Sequence, residues 1–129
     1  MDNKEFENIV EKLKEISFIA KERVIRPDND KKIKYKGFAS FFATIRYYPE
    51  VLNYFSKDEI CFILLHEEYH CLKEPIYFPC FSEHFANKYA KKKLLEFDPT
   101  IDIEKTLDAY NKHVKEYRDG KTVDSAVNE

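Results

Sequence analysis

Ile63-Leu64-Leu65-His66-Glu67-Glu68-Tyr69-His70 sets His-Glu-x-x-His inside an apolar run of helical character. Histidines four apart stand one turn above each other on a helix, so both imidazoles can face one point. From there they can take two corners of a zinc tetrahedron. Glu67 lies beside that face, within reach of an attacking water without being a ligand itself. Nitrogens for a metal and a carboxylate for a proton are parts that peptide hydrolysis uses. The plainer reading is a helix with two histidines in ordinary hydrogen bonds. A third ligand elsewhere in the chain favours the metal.

On the N-terminal side, Ser56-Lys57-Asp58-Glu59 reads as a capping box that starts the motif helix. Ile60 and the run Ile63 to Leu65 bury it, and Lys73-Glu74-Pro75 ends it. Both histidines therefore sit near the C-terminal end of the helix. Residues 75–81 form an apolar, proline-bounded loop that passes close to the metal. The next helix starts near Ser82 and runs to about Phe97, before Asp98-Pro99. One face of it carries Glu83, Ala86, Asn87, Ala90 and Leu94. A carboxylate on so small and apolar a face is costly unless it meets a cation. That makes Glu83 the preferred third ligand, with Asn87 one turn on to hold a ligand histidine. His84 is the rival. It projects about 100° away, toward Lys88 and Lys91.

Further out, Lys32-Ile33-Lys34-Tyr35-Lys36 alternates at period two and reads as an edge strand, with Gly37 at a turn. Phe38 to Tyr48 supplies one or two more strands. The expected fold class is α+β, a small three-stranded antiparallel sheet packed on helices. An exposed edge of such a sheet can hold a peptide by strand addition. Pro49 opens a short helical turn through Phe55. Phe6, Ile9, Val10, Leu13, Ile16, Ala20 and Val24 predict a helix over residues 3–25, capped by Asp2 and ended by Arg26-Pro27. At the other end, Ile103, Leu107, Tyr110, Val114 and Tyr117 predict a helix over 102–118, closed by Gly120. Residues 121–129 are polar and read as disordered. The apolar stripe of the last helix docks on its own core or is exchanged between two protomers across the Asp98-Pro99 hinge, giving a homodimer.

With 129 residues the chain reads as one domain, 1–97 as a core and 98–129 as a helix and tail. The net charge of -2 offers no basic surface for nucleic acid. No apolar run approaches a membrane span, and the N-terminus lacks a signal region. Three cysteines without framework spacing favour a reducing compartment, so the expected location is cytoplasmic. Cys71 reads as a packing thiol, Cys80 as a loop residue near the cleft, His113 as a solvated histidine, and Tyr77 as a candidate oxyanion donor.

The run Ile45-Arg46-Tyr47-Tyr48-Pro49-Glu50-Val51-Leu52, then Ser56-Lys57-Asp58-Glu59-Ile60, His66-Glu67-x-x-His70 and Glu83-x-x-Ala86-Asn87-x-x-Ala90 resembles the gluzincin metallopeptidases. Among them it looks most like the minigluzincins, which are similar to the catalytic domains of HtpX and the CAAX-prenyl proteases. The resemblance covers about residues 38–97. It implies a zinc-dependent endopeptidase with one zinc ion, His66 and His70 as ligands and Glu67 as general base. Glu83 matches the third-ligand position of gluzincins at large. Minigluzincins use a histidine there, which points to His84. The family also implies latency imposed by a C-terminal segment, here 98–129, and a peptide or protein as substrate. Two alternatives stand beside this reading. One is a zinc-bound interaction module without peptidase activity. The other is a peptidase similar to the ImmA-type domains that cleave repressors.

Overall fold

The chain is α+β and mostly helical, and the computed structural model describes residues 2–15, 25–41, 44–73 and 79–128. The elements are α1 Asn3–Leu13, β1 Ile25–Pro27, α2 Lys31–Lys36, β2 Phe38–Phe41, β3 Thr44–Tyr47, a 3-10 turn Pro49–Asn53, α3 Lys57–Lys73, α4 Pro79–Phe97 and α5 Ile103–Asn128.

The motif helix α3 is the centre of the fold. Ile60, Cys61, Phe62, Ile63, Leu64 and Leu65 are consecutive and all buried. Six consecutive positions cover every direction around a helix, so α3 must be surrounded. Around it lie α1, the β2–β3 pair, α4 and α5. From α1 it receives Phe6, Ile9 and Leu13, spaced three and four apart, and Asp2 caps that helix by accepting from the Glu5 amide at 2.8 Å. From α5 it receives fully buried Tyr117, with Leu107, Tyr110 and Val114 packed alongside. The last helix therefore packs into the same core.

The sheet consists of β2 antiparallel to β3, with the three-residue β1 lying parallel along the other side of β3. Ile45 and Tyr47 point into the core, and Tyr47 stacks between Phe6 and Phe38 at centroid distances of 4.7 and 6.2 Å. Ser40 lies opposite Ile45, which turns its side chain to the same inner face.

Several sequence expectations are corrected. Residues 32–36 form α2, not an edge strand. Asp30 accepts from the Lys32 amide at 2.8 Å, and the Gly37 amide closes on the Ile33 carbonyl at 2.6 Å. Five residues with two apolar side chains are too few for alternation to outweigh a cap at each end. The third strand comes instead from Ile25-Arg26-Pro27, and its pairing is parallel. Helix α1 extends to Leu13, and residues 16–24 lie outside the described residues. Helix α4 begins at Pro79, earlier than Ser82. Helix α5 continues through Gly120 to Asn128, where closure at Gly120 and a disordered tail were expected. Among the described glycines only Gly37 has positive φ, so Gly120 lacks the left-handed turn that would end a helix.

The capping box is half realised. Ser56 Oγ accepts from the Glu59 amide at 3.3 Å. The Glu59 carboxylate does not turn back; it reaches His113 Nδ1 at 2.7 Å. His113 is thus a buried carboxylate's partner, not a solvated histidine. A charge buried this early in α3 needs such a partner, and α5 supplies it.

Candidate metal centre

Three elements meet at one point. On α3, His66 and His70 stand one turn apart and are both buried, with their Nε2 atoms 3.1 Å from each other. From the first turns of α4, Glu83 sends Oε2 to His66 Nε2 at 3.2 Å and Oε1 to His70 Nε2 at 2.8 Å. These three side chains can hold a metal ion, with donor atoms all within 4.8 Å of one another. The path of α4 explains the meeting. Ala86, Ala90 and Leu94 on the same face are fully buried against α3, and small alanines let the two helices approach closely.

Glu83 is well exposed, at 69% of its side chain, yet it is turned onto the histidines. Hydrogen bonds from His66 and His70 hold its carboxyl well below the usual carboxylate range. Behind the site, Asn87 Oδ1 lies 2.8 Å from His66 Nδ1. Nδ1–H donating to this oxygen is the tautomer in which His66 Nε2, once it gives up its contact with Glu83, can offer its lone pair to a metal.

Glu67 borders the same point. Burial pushes its carboxyl above the usual range, while His66, His70 and a hydrogen bond with Ser40 of β2 pull it back down. Desolvation is the larger effect, so the carboxyl stays above its usual range.

These groups open into a cleft of about 490 Å³, lined also by Tyr35, Lys36, Phe38, Ala39, Tyr110 and Arg118. Burial pushes the Tyr110 phenol up to about 12, so it remains a hydrogen-bond donor at neutral pH.

Of the residues singled out by sequence, the structure brings together His66, His70, Glu67, Glu83 and Asn87. His84 is not brought to the group. It faces a separate groove lined by Phe62, Asn87, Lys91, Leu107 and Tyr110. Cys71 is half-buried against the Thr44 carbonyl, away from the histidines, as a packing thiol would be. Tyr77 and the Cys80 side chain lie outside the described residues. Ser40, Tyr110, Lys36 and Arg118 were missed as cleft residues. Each comes from an element distant in sequence from the motif, and no local pattern marks any of them.

The structure thus brings together two histidines and a glutamate that could hold a metal ion, set in an open cleft of a mostly helical α+β chain. No protein-family model matches this chain, and no curated protein or solved structure is significantly similar to it. Among the described residues, no helix is long and apolar enough to cross a membrane.

Proposed function

We propose that the chain is a zinc-dependent metalloendopeptidase of gluzincin type, with His66, His70 and Glu83 as zinc ligands. The observation that carries this is the spacing of the donors. Tetrahedral zinc with bonds of about 2.0–2.1 Å sets its ligand atoms about 3.3–3.4 Å apart. Here the two Nε2 atoms lie 3.1 Å apart, Glu83 Oε2 lies 3.2 Å from His66 Nε2 and Glu83 Oε1 2.8 Å from His70 Nε2, and one donor atom from each residue falls within 4.8 Å of the others. Two imidazole nitrogens and a carboxylate oxygen suit that ion, and a few tenths of an ångström of opening seats it.

Bound zinc supplies a Lewis acid that polarises a carbonyl and acidifies water. The chain's own residues do the rest. Glu67 accepts the proton of the attacking water and passes it to the leaving amine. Ser40 holds the Glu67 carboxylate by its hydrogen bond, and Asn87 keeps His66 in the tautomer that offers Nε2. Tyr110 is the donor assigned to the developing oxyanion, a role expected of Tyr77 on sequence alone. Strand β2 is the edge of the sheet order β1-β3-β2, and its residues Phe38, Ala39 and Ser40 line the cleft. A peptide added along that edge lies over the metal group.

The test is Glu67→Ala. Zinc should stay near one per chain while peptide turnover falls by at least about a hundredfold. Turnover surviving in this variant defeats the assignment. An interaction module without peptidase activity predicts zinc but no turnover in the wild type.

Latency is a separate proposal about α5. Its favouring observation is that Tyr110 and Arg118 come from α5 and border the cleft. If residues 98–129 act as a block, their removal raises turnover. If α5 is a wall of the cleft, as buried Tyr117 suggests, removal abolishes both turnover and folding.

A further inference from the structure

Glu59 is a carboxylate only 2% exposed in the first turn of α3, and the proposed chemistry makes no use of it. Its two oxygens lie 3.0 and 2.7 Å from His113 Nδ1 on α5. A buried pair of this kind is a costly way to join two helices. Well-packed apolar side chains of similar volume often serve stability as well or better. Phe55 already packs on the His113 ring, with centroids 6.3 Å apart. What an apolar pair does not supply is direction. A hydrogen bond to a buried carboxylate sets where the imidazole stands, whereas apolar contact alone leaves a helix freer to turn or slide.

The side chain that gains from this lies one turn away. Tyr110 precedes His113 by three positions, about 4.5 Å of helix rise, and it lines the metal cleft. Phe55 packs on Tyr110 as well, at 6.2 Å. Phe62 of α3 packs on both Tyr110 and His66, at 5.2 and 6.2 Å. Packed rings thus run from the Glu59–His113 pair to the candidate metal ligand. Burial is the main cause that keeps the Tyr110 phenol protonated; Glu67 and Glu83 add to it, and Arg118 opposes it. Farther along α5, the Tyr117 hydroxyl donates to the Lys34 carbonyl of α2. That bond holds the helix two turns beyond Tyr110, and the His113 pair holds the next turn. Turning α5 by about 10° would move a phenol hydroxyl, about 8–9 Å from the helix axis, by about 1.5 Å. A misplacement of about 1 Å can cost about a hundredfold in rate.

We infer that Glu59 and His113 are positioning residues: their buried pair sets the rotation of α5 on α3 and so holds the Tyr110 side chain at the metal cleft. The benefit to turnover rests on the peptidase reading; the placement of Tyr110 does not.

The experiment uses the full chain labelled with 3-fluorotyrosine and read by fluorine NMR in the presence of a chelator, so that the spectra do not depend on zinc. The chain has nine tyrosines, and the Tyr110 line is the one lost in Tyr110→Phe. In the wild type it should be single and narrow, and Glu83→Gln should shift it. Two variants remove the direction but keep the bulk: Glu59→Leu with His113→Phe, and the milder Glu59→Gln with His113→Leu. Their urea midpoints should stay within about 0.5 M of the wild type. Their Tyr110 line should broaden or split and lose its response to Glu83→Gln. His113→Asn, whose amide places an N–H where Nδ1 stood, should restore the single line. In the zinc-loaded chain, each double variant should lower kcat by about the same factor as Tyr110→Phe, with KM within about twofold. Adding Tyr110→Phe to either should lower kcat by no more than about a further twofold. A narrow Tyr110 line that still answers Glu83→Gln in a folded double variant overturns the inference. So do kcat losses that multiply with Tyr110→Phe, and so does failure of both double variants to fold, which would make the pair a requirement of folding. A wild type that cleaves no peptide overturns the peptidase reading alone, and the spectra still decide the placement of Tyr110.

Discussion

Gly37→Ala should be among the most damaging single changes outside the metal centre, and its cost can be built from the structure. Gly37 has φ 84, a region that L side chains rarely enter. Adopting it costs an alanine about 1–3 kcal/mol. The new Cβ would stand 2.8 Å from Val51 Cγ2 and 3.2 Å from Tyr117 Cε1. Both neighbours are fully buried, and Val51 is β-branched, so neither yields easily. Overpacking of this kind adds about 1–3 kcal/mol. Stiffening of the unfolded chain returns about 0.4–1 kcal/mol. The net destabilisation is therefore about 1–5.5 kcal/mol, with a middle value near 3 kcal/mol. Urea unfolding followed by circular dichroism measures it. With a slope of about 1.5–2 kcal/mol per molar, a loss near 3 kcal/mol lowers the midpoint by about 1.5–2 M. Adding Val51→Ala should return part of the loss, so that the double variant is less destabilised than the sum by about 1 kcal/mol or more. A midpoint within about 0.3 M of wild type, or strict additivity, would refute the reasoning. It would also remove the packing argument that sets α5 against α2 and places Arg118 at the cleft.

Other outcomes follow from the same structure. Asn87→Ala removes the partner of His66 Nδ1 and should weaken zinc about 10- to 100-fold in competition with a chromophoric chelator, with the fold retained. Unchanged affinity would mean that Asn87 does not fix the tautomer. Gly120→Ala meets no atom within 4 Å and sits inside α5, so it should stabilise by about 0.5–1 kcal/mol. Destabilisation would instead place a left-handed cap at Gly120.

The parts of this molecule that sequence made legible are those with a local signature. His66, Glu67 and His70 sit at fixed spacing on one helix. Glu83 and Asn87 share a face with Ala86 and Ala90, and that face had to pack on something. Strand Phe38–Phe41 was visible from its Phe-rich composition. What failed was decided by distant partners or by very short segments. The alternation of Lys32 to Lys36 lost to an Asp30 cap and a Gly37 stop, whose strength depends on Val51 and Tyr117 packing over the turn. Ile25-Arg26-Pro27 is a strand only because β3 lies beside it. Glu59 matched a capping box, but the imidazole of His113 competes for its carboxylate from 54 residues away. Lys36 and Arg118 line one cleft because Tyr117 on α5 bonds the Lys34 carbonyl of α2, and no short window of sequence contains both.

The proposed zinc site consists of His66, His70 and Glu83 around one ion. Zinc per chain, measured by mass spectrometry on purified wild type, Glu83→Ala and His84→Ala, tests it most directly. About one zinc is expected in the wild type and in His84→Ala, with loss in Glu83→Ala. No zinc in the wild type after reloading would contradict the claim and leave two histidines hydrogen-bonded to a glutamate. Zinc lost in His84→Ala but kept in Glu83→Ala would contradict the assignment of the third ligand.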